Sequence, residues 1–412
     1  MQKEYLVNKS NEITLNITNG KVDSYREKDE TQCTVRVYDN GRIGVAGALG
    51  EVDMDALEAQ AIEKLNDGIP YVCNLNKGVK KSIIRDKAVV SEKDIMRVTK
   101  RLAKKVADAC PRFLINGKTQ SAHRKGSYKN TEGTELAYEN TSFQAVFQIK
   151  DKDSSNIADV FYGASVPSYG KVTENKIVND IKTVHDAFFG EKVTLPDGKY
   201  PVIVEPYDVL GHSVKDFIAE YYISGGSMFS GKLGEKIFNE KFSVTVDRNP
   251  VTNRSASFYD AEGEMAKDYR AALIENGVFK RVLNSKNTSA MFNLPLAKSA
   301  AAPYDGVPSI GLPGLYVKRT APDLKALLGE EKAIYIAITS GGDITTEGVI
   351  GMPVQLAFLV ENGKITKRLT DFSAGGNIKE MLGDDFVGVS GKHVYEAADS
   401  EVIVTKMNII NN

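Results

Sequence analysis

Residues 13–25 read ITLNITNGKVDSY, and residues 33–47 read CTVRVYDNGRIGVAG. In both stretches apolar and polar side chains alternate on either side of an Asn-Gly pair, Asn19-Gly20 and Asn40-Gly41. A period of two places one set of side chains on one face of a strand, and Asn-Gly accepts the positive φ angles of a type I′ turn. The two hairpins together predict a four-stranded antiparallel meander. Three further pairs follow, at Asn116-Gly117, Asn276-Gly277 and Asn362-Gly363. The last two lie in similar stretches, LIENGVFKRVL (273–283) and LVENGKITKRL (359–369), which predict two hairpins of the same kind in one sheet. A solenoid would need at least three regular copies.

Helical patterns fill the gaps. Residues 53–66, DMDALEAQAIEKLN, are good helix formers, and residues 92–110 place Ile95, Val98, Leu102 and Val106 at three- and four-residue spacing. Ser91 is the expected cap, with Glu92 and Asp94 in the first turn. A third helix is expected from Thr173 to Phe189, carrying His185 as a packed or surface side chain. The turn signal Leu195-Pro-Asp-Gly198 then opens a different texture of apolar runs (KYPVIVE, AIYIAITS, VQLAFLV, VIVTKM) separated by Gly-rich turns. The expectation is an α+β protein of two domains: residues 1–195, an antiparallel sheet with helices, and residues 196–412, β-rich and mainly antiparallel.

Composition narrows the chemistry. With 53 Lys+Arg against 54 Asp+Glu in 412 residues, the chain has no basic footprint for neutralising phosphates, which argues against direct nucleic-acid binding. No run approaches the ~18 apolar residues of a membrane span, and no leader pattern opens the sequence. Three unclustered cysteines, Cys33, Cys73 and Cys110, fit a reducing compartment, so a cytoplasmic, soluble protein is expected. The four histidines are His123, His185, His212 and His393. His123 and His393 have no sequence-adjacent partners and read as surface or hydrogen-bonded histidines.

Two local motifs carry chemical questions. Gly226–Lys232 (GSMFSGK) matches the first seven positions of a phosphate loop, but Leu233 replaces the hydroxyl residue that would ligate Mg²⁺, and the preceding DFIAEYYIS reads as a helix where a strand is required. A Gly/Ser loop in which Gly225 and Gly226 let the backbone turn or approach a neighbour is the better reading. Secondly, if PYDVLGHSVKDFIAEYY is helical, His212, Asp216 and Glu220 follow one another at four-residue steps along one face. A polar helix face is the better reading, because one histidine on a helix is a weak metal signal. No G-x-S-x-G elbow or thiol-protease signature is present.

The stretches GGSMFSGKLGEKIFNEKFSVTVDRNP (225–250) and FYDAEGEMAKDYRAALIENGVFKRVLNSKNTSA (258–290) resemble the signature region of the TldD/PmbA family, described as modulators of DNA gyrase and as metalloproteases. The matching elements are the G-S-x-x-x-G-K-x-G loop, the D-x-x-P step at Asp247–Pro250, D-x-E-G at Asp260–Gly263 and I-E-N-G at Ile274–Gly277. VENGKITKRLTDFSAGGNIKEML resembles the family's closing strand with its Gly376-Asn377 step, and TVRVYDNGRIGVAGA its N-terminal hairpin.

The resemblance implies an α+β N-terminal and a β-rich C-terminal domain. It also implies a pair of subunits. A TldD-type subunit carries zinc on an H-E-x-x-x-H helix plus a distant cysteine, and a PmbA/TldE-type subunit lacks the motif and completes a peptide-degrading chamber. Set against that motif, Tyr207–His212 keeps only the last histidine, Asp208 stands for the glutamate, and no cysteine lies after Cys110. Three protein ligands are what holds catalytic zinc with one position open.

The resemblance therefore implies a PmbA/TldE-like subunit that expects no cofactor of its own, zinc residing in a TldD-type partner. Its substrate would be a peptide or unfolded polypeptide, held by backbone at Gly225, Gly226, Ser227 and Gly231 and by the strand near 333–340. The alternatives are a homodimeric peptidase using a rearranged site around His212, Asp208 or Asp216, and a non-enzymatic modulator of DNA gyrase.

Overall fold

The computed structural model describes residues 1–85, 91–166, 169–253, 256–312, 314–398 and 400–411. It begins with strands β1 (Gln2–Thr18), β2 (Lys21–Asp39) and β3 (Arg42–Leu49). Asn19 and Asn40 take φ 49° and 48°, and Gly20 and Gly41 both take 73°, as the type I′ turns require. The meander has three strands and not four. Nothing between KVDSY and CTVRVY breaks the backbone ladder, because that interval holds neither Gly nor Pro, and β2 runs through it as one 19-residue strand.

The sheet continues with β4 (Lys80–Ile84), β5 (Phe113–Asn130), β6 (Glu135–Asp151) and β7 (Val160–Val166), in the order β3-β2-β1-β5-β6-β4, with β7 also on β6. Asn116-Gly117 makes no turn. It lies inside β5 opposite Gln148 and Phe147, where a Cβ on Gly117 would stand 2.2 Å from the Val146 carbonyl oxygen.

Helices α1 (Met54–Glu63), α2 (Glu92–Ala109) and α3 (Lys171–Phe189) form where expected, and the Ser91 hydroxyl accepts from the Asp94 N–H as the cap. α2 and α3 bury Ile95, Leu102, Val106, Ile177, Ile181 and Val184 in one cluster with Leu15 of β1, Ile115 of β5 and Phe147 of β6. His185 packs edge-on to Phe113 and Phe189 at 5.2 and 5.0 Å. His123 bonds Glu139 across the β5–β6 pair at 3.0 Å.

Further along come β8 (Gly198–Val204), β9 (Val244–Asp247), β10 (Arg270–Glu275), β11 (Val278–Phe279) and β12 (Leu315–Val317). They are followed by β13 (Ala333–Thr339), β14 (Val349–Glu361), β15 (Lys364–Leu369), β16 (Phe372–Asn377), β17 (Phe386–Ser390) and β18 (Val402–Asn411). β13, β8, β18, β16 and β14 pair in that order, and β13 pairs again with β14, so five strands close on themselves and lose their free edges. All contacts in this ring are antiparallel except β13 on β8.

Asn276-Gly277 and Asn362-Gly363 are both hairpin turns, with Asn φ of 50° and 52°. They do not share a sheet. The first joins β10 to β11 in a four-stranded sheet with β9 and β12, and the second joins β14 to β15 beside the ring. The turn geometry recurs, and the neighbours that select a sheet differ. Overall the chain is α+β, with a mainly antiparallel N-terminal sheet, β4 alone pairing in parallel on β6, backed by helices, and a β-rich C-terminal half. One buried cluster joins Ile13, Phe147 and Ile181 to Ile203, Phe358 and Val404, so the two halves share a core.

Candidate functional site

At its C-terminal end β8 runs into Glu205, and Pro206 starts the short helix α4 (Pro206–Leu210) from its first position. Two carboxylates, Glu205 and Asp208, thus stand at the head of one turn, next to His212. Asp208 keeps solvent access, yet desolvation first and the charge of Glu205 second push its carboxyl above the ordinary range, against the pull of His212.

The segment does not continue as one helix. After α4 the chain forms a 3₁₀ turn over Val214–Phe217, an extended Ile218 and a second short helix, α5 (Ala219–Ile223). Ile218 bridges Leu283, and backbone bonds Leu283 N–H to Phe217 O and Ala219 N–H to Leu283 O hold it there. Pairing with a distant strand overrides the helical periodicity, and His212, Asp216 and Glu220 share no face. Asp216 is buried and accepts from the Met228 N–H at 2.8 Å, Glu220 accepts from Thr288 at 3.0 Å, and His212 is exposed.

The Gly/Ser loop meets the 3₁₀ turn at Asp216 and the helix α5. Gly225 and Gly231 take φ 82° and 76° and are exposed; Gly226 presses so close to Tyr221 that a Cβ would stand 2.4 Å from its ring. The Ser227 hydroxyl is buried, donating to the Asp216 carbonyl and accepting from the Phe229 N–H, so it fastens the loop to the 3₁₀ turn.

What does meet α4 is a residue nearly two hundred positions away. His393 is buried, with Nε2 bonded to Glu205 and Nδ1 accepting from the Tyr395 N–H at 2.9 Å. An Nδ1 that accepts places the proton of the neutral ring on Nε2, which donates it to the Glu205 carboxylate. Tyr395 stacks on the imidazole at 5.0 Å and Tyr335 of β13 meets it edge-on at 5.6 Å. Asp180 of α3 supports the assembly by accepting from the Tyr162 hydroxyl and from the N–H groups of Glu396 and Ala397.

This cluster opens into a cavity of about 580 Å³ whose lining includes Glu205, His393, Tyr335, Gln144, Phe161 and Gly163. One wall is β7, whose only strand partner among the described residues is β6. Tyr335 is the member of the expected 333–340 strand that reaches the cavity, and the 225–231 loop does not line it. Sequence reasoning missed Glu205 and Tyr395, read His393 as a surface or hydrogen-bonded histidine without its partner, and reached Tyr335 only through the 333–340 strand. Glu205-Pro206 at the end of an apolar run was the only local trace of them.

The zinc of the resembled family does not fit these residues. Among the described residues no group of three or more His, Cys, Asp and Glu is placed to hold a metal ion. His393 has one ring nitrogen occupied by an N–H and the other committed to Glu205, which among the described residues leaves His212 as the one imidazole beside Asp208.

Among the described residues no helix is long and apolar enough to cross a membrane. Residues 197–410 match the family profile described as "PmbA/TldA metallopeptidase C-terminal domain", and residues 5–65 match "PmbA/TldA metallopeptidase domain 1". A protein named "Metalloprotease" from Methanothermobacter thermautotrophicus is 24% identical over 415 residues, covering 90% of this chain and 86% of that one. A "Zinc metalloprotease TldD homolog" from Saccharolobus solfataricus is 27% identical over 47% of this chain and 46% of its own length. The crystal structure of TldE from Thermococcus kodakarensis superposes with a TM-score of 0.80 at 17% identity, covering 100% of this chain and 97% of that one.

Proposed function

The chain belongs to the PmbA/TldD metallopeptidase family, and on that premise we propose that it is a metal-less, PmbA/TldE-like subunit that holds a peptide for a zinc-bearing TldD-type partner. The observation that carries this reading is the donor set at α4. Where a family zinc site needs two imidazoles, a glutamate and a thiolate, the chain offers Tyr207, Asp208 and His212, with Cys33, Cys73 and Cys110 all in the first 110 residues. His393 and Glu205 are bonded to each other and serve as a rigid wall.

Peptide holding draws support from β7. A strand paired on one side only offers N–H and C=O groups to an extended chain, and main-chain bonding is indifferent to side-chain identity. Phe161, Gly163 and Ser165 of that strand line the 580 Å³ cavity together with Glu205 and Tyr335, which supports this reading. The exposed backbone at Gly225, Gly226 and Gly231 is a second proposed contact. The test is reconstitution with a TldD-type subunit encoded in the same genome. The chain alone is expected to bind an unfolded peptide without cutting it, and the mixture to cut it. Chelator-sensitive cleavage by the chain alone, lost in Asp208→Asn, would establish the homodimeric peptidase instead.

A further inference from the structure

A second cavity, of about 360 Å³, lies between the N-terminal sheet and the 256–261 and 300–304 segments. Its charged lining is Lys9, Arg36, Arg124 and Arg248 against a single acid, Asp260, whereas the whole chain is balanced at 53 to 54. Lys9 is exposed at the rim. Arg36 and Arg124 each have a partner, Glu4 at 2.8 Å and Glu12 at 2.6 Å.

Arg248 has none. It is 8% exposed, and its guanidinium donates to the carbonyls of Lys298, Ser257, Tyr259 and Ala300. Among the described residues no carboxylate lies within ion-pair distance of it. Asp260 does not turn to meet it, because its two oxygens accept from the N–H groups of Glu262, Glu264 and Ala300. Carbonyl dipoles hold an arginine in place and leave its charge uncompensated, which is costly in a buried setting unless an anion arrives.

Two further groups in the lining are unspent. Arg36 is 2% exposed and its Nε has no hydrogen-bond partner, and Tyr259 is 3% exposed and its hydroxyl has none. A planar guanidinium with a free donor, a second one held by carbonyl dipoles alone and a free phenol make a set matched to an oxyanion, which accepts several donors at once. We propose that this cavity binds an oxyanion, the carboxylate of a peptide or a free phosphate. The site goes beyond the peptide-holding reading and does not depend on it.

Calorimetric titration of the full chain tests this, with inorganic phosphate, with a neutral-side-chain tetrapeptide bearing a free C-terminal carboxylate, and with its C-terminal amide. Phosphate or the free-acid peptide is expected to bind saturably and the amide not to; if both bind, they compete. Saturation by phosphate alone identifies a phosphate site, and saturation by the free acid alone a peptide carboxylate. Arg124→Gln and the exposed Lys9→Gln are each expected to weaken binding, Arg124→Gln by roughly tenfold, with the melting temperature of Lys9→Gln unchanged. The proposal is overturned if neither anion saturates the wild-type chain up to about 10 mM, or if both variants bind as wild type does.

Discussion

His393 is held from both sides, by a backbone N–H on Nδ1 and by Glu205 on Nε2, and its role follows from having no nitrogen left over. Glu205→Gln keeps the shape and removes the charge, so the 393–397 loop should stay folded while its melting temperature falls by a few degrees. Circular dichroism melts check this. Glu174 on α3 supplies a sharper pH dependence. Burial would raise its carboxyl, but bonds from Arg101, Lys105 and Tyr169 outweigh that and lower it from 4.5 to about 2. A folded value below the unfolded one contributes stability that is complete above 4.5 and is lost as pH falls from 4.5 towards 2. Urea unfolding at pH 6 and pH 3 should therefore show a larger loss in wild type than in Glu174→Gln, because other carboxylates are lowered too. Neither residue was legible as important in the sequence: Glu174 sits in a run of helix formers, and the partner of His393 is 188 positions away.

Hairpins were the most legible elements, because an Asn-Gly turn is fixed by two residues' own φ preferences. Four of the five pairs turn the chain, and the fifth fails for a reason outside its own sequence, the close approach of Val146 to Gly117. The single helix that would align His212, Asp216 and Glu220 over residues 206–222 does not form for the same kind of reason, since Leu283 claims Ile218 for an extended pairing. β7 offers the most direct test at this scale. Gly163 lines the cavity and a Cβ there meets nothing within 4 Å. Gly163→Leu should leave the unfolding midpoint nearly unchanged, yet weaken peptide binding by roughly tenfold by filling the groove. Fluorescence anisotropy with an unfolded peptide reads this, and unchanged affinity would remove β7 from the account.

Across the whole molecule the texture change near residue 195 was visible, but the shared core was not, because no local pattern announces that Ile13 and Val404 belong to one cluster. A second contact over long range joins Gly47 of β3 to the turn at Tyr304, where a Cβ would stand 2.2 Å from the carbonyl oxygen that also accepts from Thr34. Gly47→Ala should cost about 1–3 kcal/mol in chemical denaturation. The central claim, that this chain keeps a peptidase-family fold without that family's zinc ligands, is tested most directly by metal analysis of the protein purified from zinc-replete medium and dialysed against metal-free buffer. The account predicts far less than one zinc per chain; one tightly held zinc per chain, lost in His212→Ala, would contradict it.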